Sequence, residues 1–236
     1  MPYFSYHPEI IARYPQVVGG MIYATGLNNG PTPEALKAAY LAEQQATLAR
    51  IGDTPLSELE TLSAWRSVFR DFGVNPTKYR SAPEALLRRL TKKGDIPNIN
   101  ALVDLCNLLS IRSAIPIAAM DIAAMQRGIT VHFAAGDERF TPLGVDEIEH
   151  PEPGEVIFDD ETALVFARRW CWRQSAESAA QPATTTAILT IETMHPDGRT
   201  AVEAALKDML PLLEAHVGGE YQWNILDKDN PRVDWE

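Results

Sequence analysis

Three polar residues interrupt an otherwise apolar segment at residues 99–110, and they are the first candidates for chemistry. Asn100, Asp104 and Asn107 are spaced i, i+4 and i+7, which places their side chains in one row along a helix. The other positions of this predicted helix are mostly Leu, Val and Cys, so the helix is expected to be buried. A buried carboxylate without partners is energetically costly. The row must therefore either bond to neighbouring loops and brace the core or line a polar cavity, and the sequence leaves both interpretations open.

A second candidate is the run of Arg and Trp at residues 168–173, RRWCWR. Strand alternation would divide it into two faces, with Arg169, Cys171 and Arg173 on one and Arg168, Trp170 and Trp172 on the other. Trp beside Arg is suited to stacking on nucleobases and to pairing with phosphate. The alternative is that the tryptophans are core residues and the arginines neutralise buried acids, for which the candidates are Asp104, Asp121 and Asp160.

Charge is distributed unevenly along the sequence. The 236 residues have a formal net charge of −11, which argues against indiscriminate nucleic-acid binding and against DNA as a partner. Between Arg66 and Lys93, however, there are eight basic residues and only two acidic ones. This segment either contacts a partner that docks in one orientation or forms an ordinary solvated helix surface.

Motifs for common catalytic and cofactor chemistry are missing from the sequence. It contains no G-x-S-x-G, no G-x-x-x-x-G-K, no G-x-G-x-x-G after a strand and no H-E-x-x-H. The five histidines are scattered, and His132 is interpreted as a satisfied strand residue rather than a ligand. Neither Cys106 nor Cys171 has the partner spacing of a zinc site. We therefore expect no metal and no cofactor.

The sequence also predicts a cytoplasmic protein without a membrane partner. No apolar run approaches the length of a membrane span, and the first residues do not form a basic segment followed by an apolar one. The two cysteines, one of them inside an apolar helix, do not make the pattern of a disulfide framework.

Hydrophobic periodicity predicts helices mostly in the first half of the chain and strands mostly in the second. The predicted helices span residues 32–50, 54–72, 81–93, 99–110 and 200–217. The predicted strands span residues 16–25, 128–134, 155–158, 162–167 and 187–193. Capping boxes are expected at Ser81 and Thr200, a kink at Pro211, and a bulge or a close backbone approach at Gly19 and Gly20.

This pattern predicts one α+β domain with a mixed or antiparallel sheet and packed helices. We expect residues 1–64 to form a strand and helices integrated with the core. Residues 65–217 would form the main domain, and residues 218–236 an acidic C-terminal tail.

Six spaced motifs follow one another between residues 65 and 194. They are Asn100-x-x-x-Asp104-x-x-Asn107, IPIAAMD (115–121), GDE (136–138), DD (159–160), WRQS (172–175) and the strand 186–192. Their order resembles the B3/B4 domain of the phenylalanyl-tRNA synthetase β chain, and looks most like the free-standing proteins of that family. In the synthetase this domain is the editing module, which hydrolyses wrongly charged aminoacyl-tRNA. The resemblance therefore implies a single B3/B4-like domain, a trans-editing aminoacyl-tRNA deacylase acting on the aminoacylated 3′ end of tRNA, with no synthetase activity of its own.

The resemblance also implies roles for individual residues. Glu192, at the position of the family's strand-end Glu, would hold the α-ammonium group of the substrate or orient water. Asn100 and Thr186 would be the other catalytic residues, as hydrogen-bond partners of the ester region. The implied substrate-binding residues are Asp104, Asn107, Asp121, Trp170 and Arg173. The implied tRNA-binding residues are Arg80, Arg88, Arg89, Lys92, Lys93 and Arg169.

The sequence departs from the family pattern in two places. Ala118 stands where the synthetase motif has His, and the residues from Cys171 to Arg173 replace a glycine-rich run. The amino-acid pocket is therefore expected to have a different shape, and tyrosine is not carried over as the amino acid of the substrate. The alternative functions are a non-catalytic tRNA- or RNA-binding module and a small-molecule, amino-acid-binding protein.

Overall fold

The computed structural model describes residues 1–235, in which two β-sheets pack face to face and helices cover the other face of the smaller sheet. The helices are α1 (Pro8–Arg13), α2 (Glu34–Ile51), α3 (Glu60–Asp71), α4 (Ala82–Lys93), α5 (Ala101–Ser113) and α6 (Gly198–His216). The strands are β1 (Tyr3–Tyr6), β2 (Val18–Thr25), β3 (Ile117–Asp121), β4 (Gly128–Phe133), β5 (Val156–Asp159), β6 (Val165–Arg168), β7 (Arg173–Gln174), β8 (Thr186–Thr193), β9 (Glu220–Leu226) and β10 (Arg232–Asp234). None of these helices combines the length and hydropathy that crossing a membrane requires.

The larger sheet has the strand order β10-β1-β4-β5-β6-β7, and the smaller sheet has the order β3-β8-β2-β9. Paired strands are antiparallel except β1 and β4, which are parallel. The predicted α+β class with a mixed sheet is therefore confirmed. The predicted hairpin is also present, as β5 paired with β6.

Strand β8 lies between two hydrophobic cores. Ala187, Leu189 and Ile191 belong to the core between the smaller sheet and the helices, whereas Ile188 belongs to the core between the two sheets. Because alternate side chains of a strand point to opposite faces, Glu192 points to the same side as Ile188. The strand thus places a carboxylate between the two sheets.

Helix α5 is buried on most of its circumference, as its sequence predicts. Leu102, Leu105 and Leu109 are at most 1% exposed, and the helix packs against α2, α6 and β3. Its apolar side chains bury enough area to hold the helix in place without a strong amphipathic stripe. Helix α5 therefore gives the adjoining strand β3 a rigid support.

The predicted capping boxes are wrong. Ser81 precedes α4, but its hydroxyl makes no capping hydrogen bond and has no partner among the described residues. Glu84, which should complete the box, instead pairs with Arg66 at 2.7 Å. Helix α6 begins at Gly198, so Thr200 lies inside its first turn and is not its N-cap.

Two predicted helices also differ in detail from the structure. The predicted helix 54–72 is divided into a 3-10 turn, Leu56–Glu58, and the helix α3. Helix α6 continues through Pro211, although Pro has no N–H to donate to the preceding turn.

The prediction that residues 168–173 alternate as a strand is also wrong. Arg169 and Trp170 have φ values of 49° and 59°, in the left-handed region that a strand does not use. Strand β6 therefore ends at Arg168, and β7 begins only at Arg173. This turn inserts Trp170 into the core between the sheets, while Trp172 stays half-buried at its edge.

Both ends of the chain pair with the sheets. Strand β1, which the periodicity does not predict, lies between β10 and β4. The segment predicted as an acidic tail contains β9, which pairs with β2, and β10, which pairs with β1. Pairing in a sheet satisfies the backbone groups of this segment despite its polar composition.

Candidate functional site

A cavity of about 260 Å³ opens at the edge of the smaller sheet, between α5, β3 and the turn that joins β6 to β7. Apolar side chains and backbone form most of its wall. Its polar lining includes Asn107 from α5, Thr190 and Glu192 from β8, and Arg173 from the start of β7. Three separate elements therefore bring these side chains together.

Among residues 1–235, Glu192 is the only acidic residue that lines this cavity, and it is 1% exposed. Its Oε1 accepts a hydrogen bond from the Tyr6 hydroxyl at 2.8 Å and another from the Trp170 Nε1 at 3.0 Å. Burial raises the pKa of Glu192 from 4.5 to about 7, against the opposing effect of the hydrogen bonds from Trp170 and Tyr6, which favour the ionised form. Both protonation states of the carboxyl group are thus accessible near neutral pH, and both hydrogen bonds from Tyr6 and Trp170 fall on Oε1 rather than Oε2.

The approach of Tyr6 to Glu192 depends on a glycine. Gly19 on β2 is the register partner of Glu192 on β8, and a Cβ added at Gly19 would overlap the Tyr6 hydroxyl. Strand β2 is regularly paired along its length, so the predicted bulge is wrong, and it is the Tyr6 and Met21 side chains, not another backbone segment, that approach Gly19 closely. The glycine leaves the space through which the phenol reaches the carboxylate.

Trp170 owes its position to the left-handed turn after β6. Its backbone N–H donates to the Val156 carbonyl at 2.7 Å, which holds the turn against β5. Its ring makes edge contacts with Trp65 and Tyr14, both at 5.4 Å between ring centroids. Aromatic packing thus fixes the indole whose N–H donates to Glu192.

A basic groove of about 470 Å³ adjoins this cavity along α4. No acidic residue that the structure describes lines this groove. Its cationic lining residues are Lys78, Arg80, Arg88, Arg89, Lys92, Lys93 and Arg173. Trp172 and Arg173 line both the groove and the cavity. In the described part of the chain, Arg88, Lys92 and Lys93 form no ion pair, so their charges face solvent unneutralised.

Cations and aromatic rings cluster where the groove meets the cavity. The rings of Tyr79 and Trp172 contact each other edge to face, with centroids 5.1 Å apart, and the Arg169 guanidinium lies 3.9 Å from the Tyr79 centroid and 4.6 Å from the Trp172 centroid. The Arg173 guanidinium also lies 4.6 Å from the Trp172 centroid. Arg169 is 6% exposed and forms an ion pair with Glu155 at 2.6 Å. The structure therefore favours the interpretation of Arg169 as a buried arginine that neutralises an acid. That acid is Glu155, and not one of the three aspartates expected from the sequence.

The larger part of the chain matches a known protein family. Residues 64–208, more than half of the chain, match the model of a family described as the B3/4 domain. The chain belongs to the B3/4 domain family. The resemblance to the B3/B4 domain, predicted from the order of the sequence motifs, is therefore confirmed at the level of the family.

Two relatives of this B3/4 chain are phenylalanine–tRNA ligase β subunits. The one from Colwellia psychrerythraea is 33% identical over 95 residues, and the one from Aquifex aeolicus is 30% identical over 99 residues. The matches cover 40% and 42% of this chain but only 11% and 13% of those relatives. Among solved structures, an N-terminal fragment of the phenylalanyl-tRNA synthetase β-subunit from Pyrococcus horikoshii superposes with a TM-score of 0.47 at 11% identity, covering 93% of this chain and 50% of that one.

Two members of the predicted polar row brace loops of the B3/4 chain and do not line the cavity. Asn100 caps α5 by accepting from the Val103 N–H at 3.0 Å, and it donates to the Ala180 carbonyl at 2.9 Å. Asp104 accepts from the Thr32 hydroxyl at 2.6 Å, and further bonds come from the loop before α5. For both residues the contacts support the bracing interpretation, and only Asn107 reaches the cavity.

Thr186 and Asp121 also lie outside the cavity. Thr186 is at the opposite end of β8 from Glu192, about 20 Å away at the rise of a strand. Asp121 accepts from the Thr184 hydroxyl at 2.5 Å and from the Ala123 N–H at 2.8 Å, so it holds the loop before β8. Of the three implied catalytic residues, only Glu192 lines the cavity.

Tyr6 is the residue that sequence reasoning missed. It lies outside residues 64–208 and on a strand that periodicity did not predict. Its one sequence signal is indirect, because Gly19 marks the point where the two strands and the phenol approach each other.

Both cysteines line the cavity, but neither is an activated nucleophile. Burial raises the pKa of Cys106 to about 12 and holds the pKa of Cys171 well above its usual range. Both side chains are therefore protonated thiols at neutral pH. The chemistry available to the cavity rests on Glu192.

Proposed function

We propose that this B3/4 chain is a stand-alone aminoacyl-tRNA deacylase that hydrolyses the ester of mischarged tRNA in trans. The observation that supports this function is the junction of the basic groove with the cavity at Trp172 and Arg173. A polyanionic strand in the groove would have its end beside Glu192. The relatives named phenylalanine–tRNA ligase β subunits support tRNA as the partner.

The basic groove suits the phosphate backbone near the 3′ end of tRNA. Arg88, Arg89, Lys92 and Lys93 lie on the last turns of α4 and point toward solvent. Such contacts position a nucleic acid without reading its bases. The net charge of −11 repels nucleic acid elsewhere on the surface, so binding would be confined to this groove and to one orientation.

The cavity suits the aminoacyl group. Its 260 Å³ is the volume of about nine water molecules, on the scale of one amino acid. Glu192 would pair with the α-ammonium group through Oε2, or would accept a proton from the attacking water, because a pKa of about 7 makes both protonation states accessible near neutral pH. Asn107 and Thr190, which line the cavity, would hydrogen-bond the ester region in the role first expected of Asn100 and Thr186.

Hydrolysis of this substrate requires little covalent chemistry from the protein. An aminoacyl ester is already activated, so positioning of water and stabilisation of the developing oxyanion supply most of the acceleration. The attacking water adds to the ester carbonyl, its proton passes to Glu192, and the 3′-hydroxyl of the tRNA leaves with a proton. We expect this reaction in the cytoplasm, where charged tRNA is used.

The test is a deacylation assay on a panel of tRNAs charged with correct and incorrect amino acids. At least one charged tRNA should lose its amino acid, and Glu192→Gln should abolish the reaction while the protein stays folded. Arg88→Glu should raise the KM for tRNA. Arg127→Glu is the matched control, because Arg127 is an exposed arginine, with 70% of its side chain accessible, outside the groove. Survival of every charged tRNA on the panel would rule out the proposed activity.

One observation favours a second candidate, a non-catalytic tRNA-binding module. Ala118 lines the cavity at the position where the family motif has His, and no histidine is among the described lining residues. This candidate predicts salt-dependent tRNA binding that Arg88→Glu weakens, without any turnover. A thermal shift with free amino acids and no response to tRNA would instead indicate an amino-acid-binding protein.

A further inference from the structure

Three side chains of metal-ligand type meet on the outer face of the larger sheet, away from the cavity. His132 is on β4, Asp159 is on β5, and Glu138 is in the loop that follows β4. Thr130 and not His132 is the register partner of Asp159, so His132 and Asp159 are diagonal neighbours on one face of the antiparallel pair. One ligand atom from each of the three residues lies within 4.8 Å of the others.

The orientation of the imidazole is fixed by its backbone contact. Nδ1 lies 2.9 Å from the Phe133 carbonyl oxygen, which can only accept, so Nδ1 carries a hydrogen. The other ring nitrogen, Nε2, is directed at the Asp159 Oδ1 at 2.7 Å. In protein metal sites a ligating histidine donates its other ring N–H to a carbonyl or carboxylate, so Nε2 is the nitrogen of His132 that a metal would take, in place of the present contact with Asp159.

The acids of this cluster have more negative charge than their neighbours neutralise. Glu138 and Asp159 are 3% and 8% exposed, and no Lys or Arg within residues 1–235 forms an ion pair with either. Glu138 is held by the N–H groups of Ala135, at 2.6 Å, and Gly136, at 2.9 Å, which orient its carboxylate without neutralising it. Even a doubly protonated His132 would leave one negative charge, and buried charges in proteins are paired or bound to metals.

We propose that His132, Glu138 and Asp159 form a binding site for a divalent transition metal of the zinc type, with one coordination position open to water. One imidazole and two carboxylates suit Zn²⁺ and its neighbours better than Mg²⁺ or Ca²⁺, which prefer oxygen ligands alone. Zinc binds nitrogen and oxygen ligands at about 2.0–2.2 Å, so tetrahedral ligand atoms lie roughly 3.4 Å apart. The His132–Asp159 contact would open slightly and Glu138 would move inward, both by side-chain rotation.

Such a metal would join β4, β5 and the loop after β4 on the face opposite the cavity. The site is independent of the proposed deacylase chemistry, because none of its three ligands lines the cavity. Asp160, the next residue, adds further negative charge nearby, but the Gln126 N–H and the Thr162 hydroxyl already engage its oxygens. The site is therefore assigned three protein ligands.

The test uses the full chain, stripped with a chelator and titrated with ZnCl₂ by calorimetry. One Zn²⁺ should bind per chain, and the chain reconstituted with CoCl₂ should show the visible absorption bands of four-coordinate Co²⁺. Asp159→Asn, which keeps the shape of the side chain, should weaken zinc binding at least tenfold, and His132→Ala should abolish it. His216→Ala is the matched control and should leave binding unchanged, because His216 lies at the end of α6.

The test of the metal site remains decisive even if one variant does not fold. If His132→Ala is unfolded by circular dichroism, the Co²⁺ spectrum of the wild-type chain and the zinc affinity of Asp159→Asn decide the matter. Absence of stoichiometric Zn²⁺ binding to the wild-type chain would overturn the proposal. Equal affinity of the wild-type and Asp159→Asn chains, or binding of MgCl₂ as tight as that of ZnCl₂, would overturn it too.

Discussion

The stability of Glu192→Gln relative to the wild type should be higher at pH 8 than at pH 5. The buried carboxyl has a pKa of about 7 in the folded chain, against 4.5 for an ordinary Glu. Between these two values the folded state keeps a proton that the unfolded state has lost. The contribution of Glu192 to the stability of the wild-type chain therefore falls as pH rises from 4.5 through 7, whereas Gln does not titrate.

The size of this effect follows from the same two pKa values. A difference of about 2.5 pH units corresponds to about 3.5 kcal/mol over the full titration, because each unit is worth about 1.4 kcal/mol, and most of it falls between pH 4.5 and pH 8. The free energy of unfolding of Glu192→Gln, minus that of the wild type, should thus rise by about 3 kcal/mol between pH 4.5 and pH 8. For a chain of this length that is a relative shift in Tm of roughly 6–12 °C.

The assay is urea unfolding of both chains at a series of pH values, with the difference plotted against pH. Other titrating groups are common to both chains and cancel in this difference. Glu203→Gln is the control, because the Glu203 side chain is 55% exposed on α6, and its difference from wild type should stay flat. A flat difference for Glu192→Gln as well would show that the carboxylate is solvated, and the reasoning from burial would be refuted.

Three further outcomes are expected. Tyr6→Phe removes a hydrogen-bond donor to the Glu192 carboxylate, so it should raise the pKa of Glu192 further. The pH-dependent step in the same urea-unfolding series should then move to higher pH. An unmoved step would mean that the 2.8 Å contact does not stabilise the ionised form. Replacing Arg88 and Lys92 by Ala should reduce the slope of log K against log[salt] for tRNA binding by about 0.7–0.9 per charge removed, and an unchanged slope would place the RNA outside the groove. Cys106 should react with a thiol reagent at pH 8 only after unfolding, because it is 2% exposed and its pKa is raised to about 12; rapid labelling of the native chain at this thiol would contradict its burial.

The local sequence pattern was sufficient to predict most of the helices and strands in the middle of the chain. Helix α5 follows from a run of apolar residues broken by one polar row, and β8 follows from eight residues rich in Thr and Ile. Helix α4 has a leucine face that is buried and a basic face that is exposed, as its 3.6-residue period predicts. These features are local, because a side chain and its neighbours one turn or one strand position away decide them.

Capping and the turn after β6 were not predictable in the same way. The Ser81 and Glu84 pair has the sequence of a capping box, but Arg66, 18 residues away in the chain, takes the carboxylate. The alternation of residues 168–173 suits a strand, yet packing of Trp170 against Trp65 and Glu192 forces a left-handed turn there. In both cases a distant partner outweighs a weak local preference.

The candidate site shows the same division between local and distant interactions. The sequence by itself determined that a polar row lies on a buried helix, that a basic segment precedes it, and, through its family motifs, that Glu192 is a candidate residue. Which polar residues face a cavity was decided by the tertiary structure. Asn100 and Asp104 are engaged by Ala180 and Thr32, 80 and 72 residues away in the chain.

The tertiary structure likewise decided the state of Glu192. Its partner Tyr6 is 186 residues away, and the low-polarity surroundings that raise its pKa come from two sheets packed face to face. The identity of a carboxylate is written in the sequence, but its charge depends on how much water and how many donors surround it after folding. Only the packed structure sets those surroundings, because the chain segments that form them meet only on folding.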